Sequence, residues 1–436
     1  MFASRTNWRL ETNRLARALD EHRKSGRQLL DLTASNPTEC GLQYPAQEIL
    51  AALSNPRTLA YRPDSKGLLE AREAVAAYYA GRVGFSASSS PTLRVDPERI
   101  LLASGTSEAY THIFRLLCEP GDEILVPAPS YPLFEFLADL ADIRLVPYPL
   151  LYDHGWQIDF ASLRGELTPR SRAVMVVHPN NPTGSFVKPQ EATQLAAICA
   201  AREMAIVADE VFLDYAECAK LSLTDLSSAR LQAGISRAPR RPPEDGRYME
   251  PGLPDAAPEG LARTFAFHDE ALTFTLSGLS KISLLPQMKL AWTVVSGPDA
   301  LTKTAVDRLE IIADTYLSPS TPVQLALPKF LSLRHELQAQ LQQRISANLA
   351  ALDSMLPESK SLTRLAREGG WYAVLRVPVT ATDDDLTVAL LERHSVLVHP
   401  GHFFNFSREG FLVLSMITPE DEFQEGLRRL RKFFEA

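Results

Sequence analysis

The chain has 436 residues, 45% of them hydrophobic and 22% charged, with a formal net charge of −8 and an isoelectric point near 5.7. That length supports one large or two medium domains with a real core, and the acidic balance excludes the concentrated basic stripe of a nucleic-acid-binding surface. No apolar signal core and no run of about 18 apolar residues occurs, so a cytoplasmic protein with no membrane span is expected.

Residues 7–25 place Trp8, Leu10, Leu15 and Leu19 among charges at helical spacing, with Gly26 as the stop, which predicts a docking helix. Leu29–Ala34 reads as a short strand and Ser35-Asn36-Pro37-Thr38 as a turn. Helices are expected over 46–54 and 67–83. From Arg99 the pattern becomes strand, loop, helix, repeated. Strands are expected at Ile100–Ala103, Glu123–Pro127, Ile143–Val146, Ala173–Val177 and Ala205–Ala208, and helices over 108–118, 131–140 and 188–203. Continuous apolar strands alternating with helices predict an α/β fold whose mostly parallel sheet is covered by helices on both faces.

Residues 229–263 carry six prolines and the cluster Arg237, Arg240, Arg241, and read as an irregular exposed insertion. After a further strand at Leu272–Leu276 comes a helix-rich span over 299–352. It leads into strand-like runs at Gly369–Leu375, Val396–Gly401 and Phe411–Ser415, which predict a smaller α+β C-terminal domain. The expected division is an N-terminal helix and arm (1–45), a large domain (46–310) and a small domain (311–436).

The chemistry-bearing residues gather at carboxyl ends of strands, where such sheets bind ligands. In Thr275-Leu276-Ser277-Gly278-Leu279-Ser280-Lys281 a lysine leaves a strand end, and its amine can form a Schiff base with an aldehyde if its pKa is lowered. Ser104-Gly105-Thr106-Ser107 closes one strand and opens a helix; alone it is a plain helix start, in company a phosphate cradle. Asn181, in His178-Pro179-Asn180-Asn181-Pro182-Thr183-Gly184, closes another strand as a turn. Asp209 closes a third, as a helix cap or as the partner of a buried cation.

Together these pieces resemble the class I/II aminotransferases, the fold-type-I enzymes that use pyridoxal 5′-phosphate, over nearly the whole chain. The ordered set Gly-Thr-Ser, Pro-Ser-Tyr-Pro, Asn-Asn-Pro-Thr-Gly, Ala-Asp-Glu-Val and Ser-Lys is specific, although each piece alone is not. The resemblance implies that Lys281 carries the cofactor as an internal aldimine and shuttles the substrate proton. It implies that Asp209 keeps the pyridine nitrogen protonated and Tyr131 stacks on the ring. Asn181 would bond the phenolic oxygen, and Gly105, Thr106, Ser107, Ser280 and Lys289 would surround the phosphate. Tyr61 would reach the phosphate site of a second subunit, since family active sites lie at a homodimer interface. Asn36, Asn181 and Arg408 would face the amino acid or 2-oxo acid substrate.

Four positions depart from the family pattern. Phe212 stands where a tyrosine is usual, which implies an aldimine of higher pKa. Lys289 stands for an arginine and keeps the charge without the bidentate fork. Gly278 stands for a hydroxyl residue. Val413 occupies the position of the arginine that clamps the substrate's α-carboxylate, so Arg408, Arg376 or an arginine of the insertion would have to replace it. These departures motivate an alternative within the same fold, a lyase, cyclase or decarboxylase acting on an amino-acid-derived substrate. A ligand-sensing regulator would need a DNA-binding domain ahead of residue 30, where only one short helix fits. A nicotinamide enzyme lacks its GxGxxG after a strand.

No metal site is expected, because the nine histidines are dispersed and the cysteines Cys40, Cys118, Cys199 and Cys218 show no CxxC spacing. His399 and His402 read as loop structure, and Tyr110 and His112 as packing residues.

Overall fold

In the computed structural model, residues 1–8, 11–85, 94–132, 134–217, 263–359 and 361–435 are described. Most of the proline-rich insertion, with Arg237, Arg240 and Arg241, lies outside them, as do Leu10 and Cys218.

The strands, in chain order, are β1 (Leu30–Asp31), β2 (Ile100–Ala103), β3 (Glu123–Ala128), β4 (Arg144–Tyr152), β5 (Trp156–Ile158), β6 (Ser171–Val177), β7 (Ala205–Asp209), β8 (Thr273–Gly278), β9 (Ala291–Ser296), β10 (Thr363–Arg364), β11 (Tyr372–Arg376), β12 (Val396–Leu397), β13 (His399–Pro400) and β14 (Phe411–Ser415). Eight of them form one sheet in the order β2-β9-β8-β7-β6-β3-β4-β5. The pairs β4–β3, β3–β6, β6–β7 and β7–β8 are parallel, whereas β9 is antiparallel to both of its neighbours.

β7, β8 and β9 are buried along their whole length, as expected of strands covered on both faces. One face carries Tyr110, Phe114, Val306 and Leu309, and another core holds Tyr148, Leu163, Leu195 and Phe265. β4 extends six residues beyond its expected end at Val146. Pro147 and Pro149 obscure it in the sequence, yet both are exposed and lie before Leu150, the first residue paired with β5, so neither lacks a required ladder donor.

A second, antiparallel sheet follows the order β10-β11-β14-β13, and β1 pairs with β12. The N-terminal helix runs Arg14–Lys24 and begins later than residue 7, because the side chain of Asn13 caps it by accepting from the amide of Ala16. Its Leu15 and Ala18 pack with Leu391 and Leu397. The helix Thr321–Met355 joins the two bodies. Val323–Leu333 pack with Trp292 of the large sheet, and Leu337–Met355 pack with β11 and β14. The division expected at residue 310 falls inside the helix Asp299–Asp314, whose Leu309 and Ala313 pack with the large sheet. We propose that the small domain begins within the Thr321–Met355 helix. Among the described residues no helix is long and apolar enough to cross a membrane.

Candidate active site

The sheet register brings the expected residues to one level. Asp209 is paired with Val177 of β6 and Leu276 of β8. Gly278 and Ala103 are paired with the same residue, Ala291 of β9. The segments leaving these strand ends therefore converge: 178–184 with Asn181, Asp209 itself, the helix Leu279–Ile282 with Lys281, and Ser104–Ser107.

Lys281 is half-buried along its stem, but its Nζ is enclosed. It lies 4.6 Å from the Trp371 ring centre, 5.7 Å from that of Phe212 and 3.5 Å from the carbonyl oxygen of Ser35. Burial pushes its pKa down to about 8, against the opposing charge of Asp209. An amine so placed spends part of its time neutral near pH 7 and can act as nucleophile or base. Its short helix is held by three side chains on separate elements. Tyr215 donates to the Lys281 carbonyl at 2.7 Å, Gln338 to that of Ile282 at 2.7 Å, and Tyr44 to that of Leu284 at 2.9 Å.

Asp209 is 7% exposed, and its carboxylate accepts from the Tyr110 hydroxyl at 2.6 Å and the Val211 amide at 3.0 Å. Burial raises its pKa, and these two bonds with the charge of Lys281 oppose the rise. Tyr110 packs in the core against Phe114 and Phe134, as read from the sequence, and in addition holds Asp209, a role that reading did not include. It lies one helical turn beyond Thr106 on the same helix face, and that i, i+4 spacing was the available signal. Trp371 was likewise missed as a wall of the lysine pocket.

Asn181 is buried, and among the described residues its Oδ1 has no hydrogen-bond partner. Its loop is fixed by Asn180, which donates to the Pro129 carbonyl and to Thr183 Oγ1. Gly184, with φ of +69°, has room for no side chain: a Cβ there would meet the Gly369 carbonyl at 2.4 Å.

Gly105 starts the helix Thr106–Leu117, which has no side-chain cap, so the first-turn amides at Thr106 and Ser107 remain available to an anion. A Cβ on Gly105 would lie 3.5 Å from Lys289 Nζ, which adds a positive charge to the same cradle. Ser280 directly precedes Lys281. Gly278 is explained by packing: a Cβ would approach Ala291 Cβ at 2.9 Å and the Leu290 carbonyl at 3.0 Å, so β9 excludes the hydroxyl side chain of the family pattern.

Tyr131 follows β3 and packs edge-on against Phe134, close enough to Asp209 for that charge to add to the upward shift that burial gives its hydroxyl. Asn36 accepts from the Thr38 amide and hydroxyl through Oδ1, which leaves its amide hydrogens to donate elsewhere. Tyr61 is 81% exposed, away from these groups. Val413 is buried in the middle of β14, and Arg408 lies in the loop before that strand, its guanidinium over the Phe411 ring.

The sequence matches the family model described as aminotransferase class I and II over residues 27–430. It is 26% identical over 419 residues to an alanine aminotransferase of Mycobacterium tuberculosis, covering 94% of this chain and 86% of that one. It is 25% identical over 388 residues to a tyrosine aminotransferase of Dictyostelium discoideum, covering 86% and 80%. The fold superposes on an alanine aminotransferase of Pyrococcus furiosus with a TM-score of 0.81, at 21% identity and full coverage of both chains. With the residues 27–430 so matched and a site of this form at the carboxyl ends of its strands, the chain belongs to the class I and II aminotransferases, a pyridoxal-phosphate-dependent family.

Proposed function

We propose that the chain moves an amino group from an amino acid to a 2-oxo acid with pyridoxal 5′-phosphate held at Lys281. The observation that carries this is the pairing of a lysine of lowered pKa with a buried carboxylate at adjacent strand ends, Lys281 and Asp209. The donor set fits the cofactor: an amine for its aldehyde, a carboxylate for its ring nitrogen, the Asn181 side-chain Nδ2 as a donor for its phenolic oxygen, and the Gly105–Ser107 start with Lys289 for its phosphate.

When bound, the cofactor supplies an aldehyde that bonds amines reversibly and a ring that accepts electron density from the substrate's α-carbon. The protein's part is acid–base and positional. Asp209, whose ionised form is favoured by the bonds from Tyr110 and the Val211 amide, would hold a proton at the ring nitrogen. Lys281 would remove the proton at the substrate's α-carbon and return it at the cofactor's former aldehyde carbon, beyond the shared nitrogen. Tyr131 covers the ring, and Asn36 and Asn181 donate amide hydrogens to the substrate's α-carboxylate in place of the arginine that Val413 excludes. The exposed Tyr61 is available to a second subunit, in a homodimer of the kind the family forms.

The names of the relatives make alanine and glutamate the first donors to assay, with 2-oxoglutarate and pyruvate as acceptors. Formation of the partner amino acid that requires both added pyridoxal phosphate and Lys281 supports the proposal. Turnover that persists in Lys281→Ala contradicts it.

A further inference from the structure

β11 and β14 run side by side, with Tyr372 paired to Ser415 at one end and Arg376 paired to Phe411 at the other. The first end adjoins the lysine. Trp371, next to Tyr372, carries Lys281 Nζ over its ring, and Ser415 Oγ bonds the carbonyl of Ala34, beside Ser35. Four residues of strand, about 13 Å, separate this end from Arg376. That is beyond the few ångströms between an amino acid's α-carboxylate and its amine.

The far end opens on a cavity of about 1030 Å³, whose lining includes Tyr131, a residue near Asp209. Two arginines, Arg376 and Arg408, stand in its polar lining. Arg376 lies over the Tyr152 ring and Arg408 over the Phe411 ring, and among the described residues neither guanidinium is paired with a carboxylate. Tyr152 accepts from the Ala366 amide at 2.9 Å and still has its own proton to give. The carboxylates Glu135 and Asp153 also line the cavity, and they are exposed, as are Arg376 and Arg408. A guanidinium group held near an aromatic ring keeps its planar fork of donors for bidentate bonding to carboxylate or phosphate.

We propose that this cavity receives the distal anionic group, a carboxylate or a phosphate, of an amino donor or oxo acceptor built on a long or aromatic chain. Arg376 and Arg408 are then its specificity determinants. The inference rests on the aminotransferase reading and names its substrate class.

The test uses the cofactor-loaded protein with two matched donor pairs, phosphotyrosine against tyrosine and 4-carboxyphenylalanine against phenylalanine, with 2-oxoglutarate as acceptor. In the wild type, kcat/KM is expected to favour the anionic member by about tenfold or more, the worth of one charged hydrogen bond. A preference confined to one pair supports the proposal and identifies the anion. The ratio falls toward one in Arg376→Gln and in Arg408→Gln, and favours the neutral donor in Arg376→Glu. A wild-type ratio near one, or a ratio unmoved by all three substitutions, overturns the inference and leaves transamination standing. Failure of every donor, alanine and glutamate included, overturns the transamination reading as well.

Discussion

The Tyr110 hydroxyl donates a 2.6 Å hydrogen bond to the buried carboxylate of Asp209. Two elements that are distant in the chain thereby meet: the helix that opens at the phosphate cradle and the strand end that carries the ring-nitrogen partner. Burial works against the ionised carboxylate and this bond works for it. Removing the hydroxyl in Tyr110→Phe takes away a charged hydrogen bond worth about 1.5–3 kcal/mol. The Asp209 pKa then rises, so the acid limb of the kcat/KM profile moves to higher pH by about one unit or more. An unshifted acid limb would show that Tyr110 serves packing alone.

Gly278→Ser restores the residue type usual in the family, and here it destabilises. The new Cβ meets Ala291 and the Leu290 carbonyl of β9 within about 3 Å, and backbone cannot rotate away as a side chain can. The expected loss is about 1–3 kcal/mol, the range for overpacking a filled interior, read as a lower midpoint in chemical denaturation. Unchanged or increased stability would mean that β8 and β9 are not this close.

Phe212 lies 5.7 Å from Lys281 Nζ and packs edge-on against Trp371 at 5.2 Å. Phe212→Tyr adds a donor beside the amine, where it competes for an acceptor oxygen of the bound cofactor and weakens that oxygen's hold on the amine's proton. The midpoint of the pH-dependent absorbance change of the cofactor-loaded protein is expected to fall by about one unit, the worth of one hydrogen bond. An unchanged or raised midpoint would refute the role given to this position.

Stability against acid has two opposing sources. Burial pushes His178 down to about 3 and His399 down to about 4. The His178 Nδ1 accepts from the Val187 amide at 3.0 Å, a bond that protonation abolishes. A neutral buried histidine contributes stability that is complete above the unfolded value of about 6.5 and is lost as pH falls below it. Burial has the reverse effect on Glu210, raised to about 7 and bonded to the Thr264 hydroxyl and the Phe265 amide. Its contribution is complete below about 4.5 and declines as pH rises toward 7. The denaturation midpoint should therefore fall from pH 6.5 to 4.5, more steeply in Glu210→Gln and less steeply in His399→Asn. Parallel slopes in all three proteins would contradict this assignment.

The parts legible in the sequence were those fixed by local chemistry. β3, β7 and the Ala173–Val177 part of β6 stand out as apolar runs and β8 as a β-prone run, because both of their faces are covered, and Asp209 and Lys281 stand out as polar residues at or just beyond the ends of such runs. The run of β9 is equally apolar, but it follows the lysine so closely that it read as part of that motif. Tyr110, Trp371 and the Arg376 cavity were not legible in the same way. Each depends on segments about a hundred or more residues apart, and no local period reports such a meeting.

The most direct measurement is the absorption spectrum of the purified protein with pyridoxal phosphate, for wild type and Lys281→Ala, before and after amino acids are added without an oxo acid. A visible cofactor band that Lys281→Ala abolishes, and that some amino acid converts to the spectrum of pyridoxamine phosphate, is the expected result. A band that no amino acid shifts, or one that recovers while product accumulates, would contradict transamination and favour a lyase on the same fold. The absence of any band would contradict the assignment of the cofactor to Lys281.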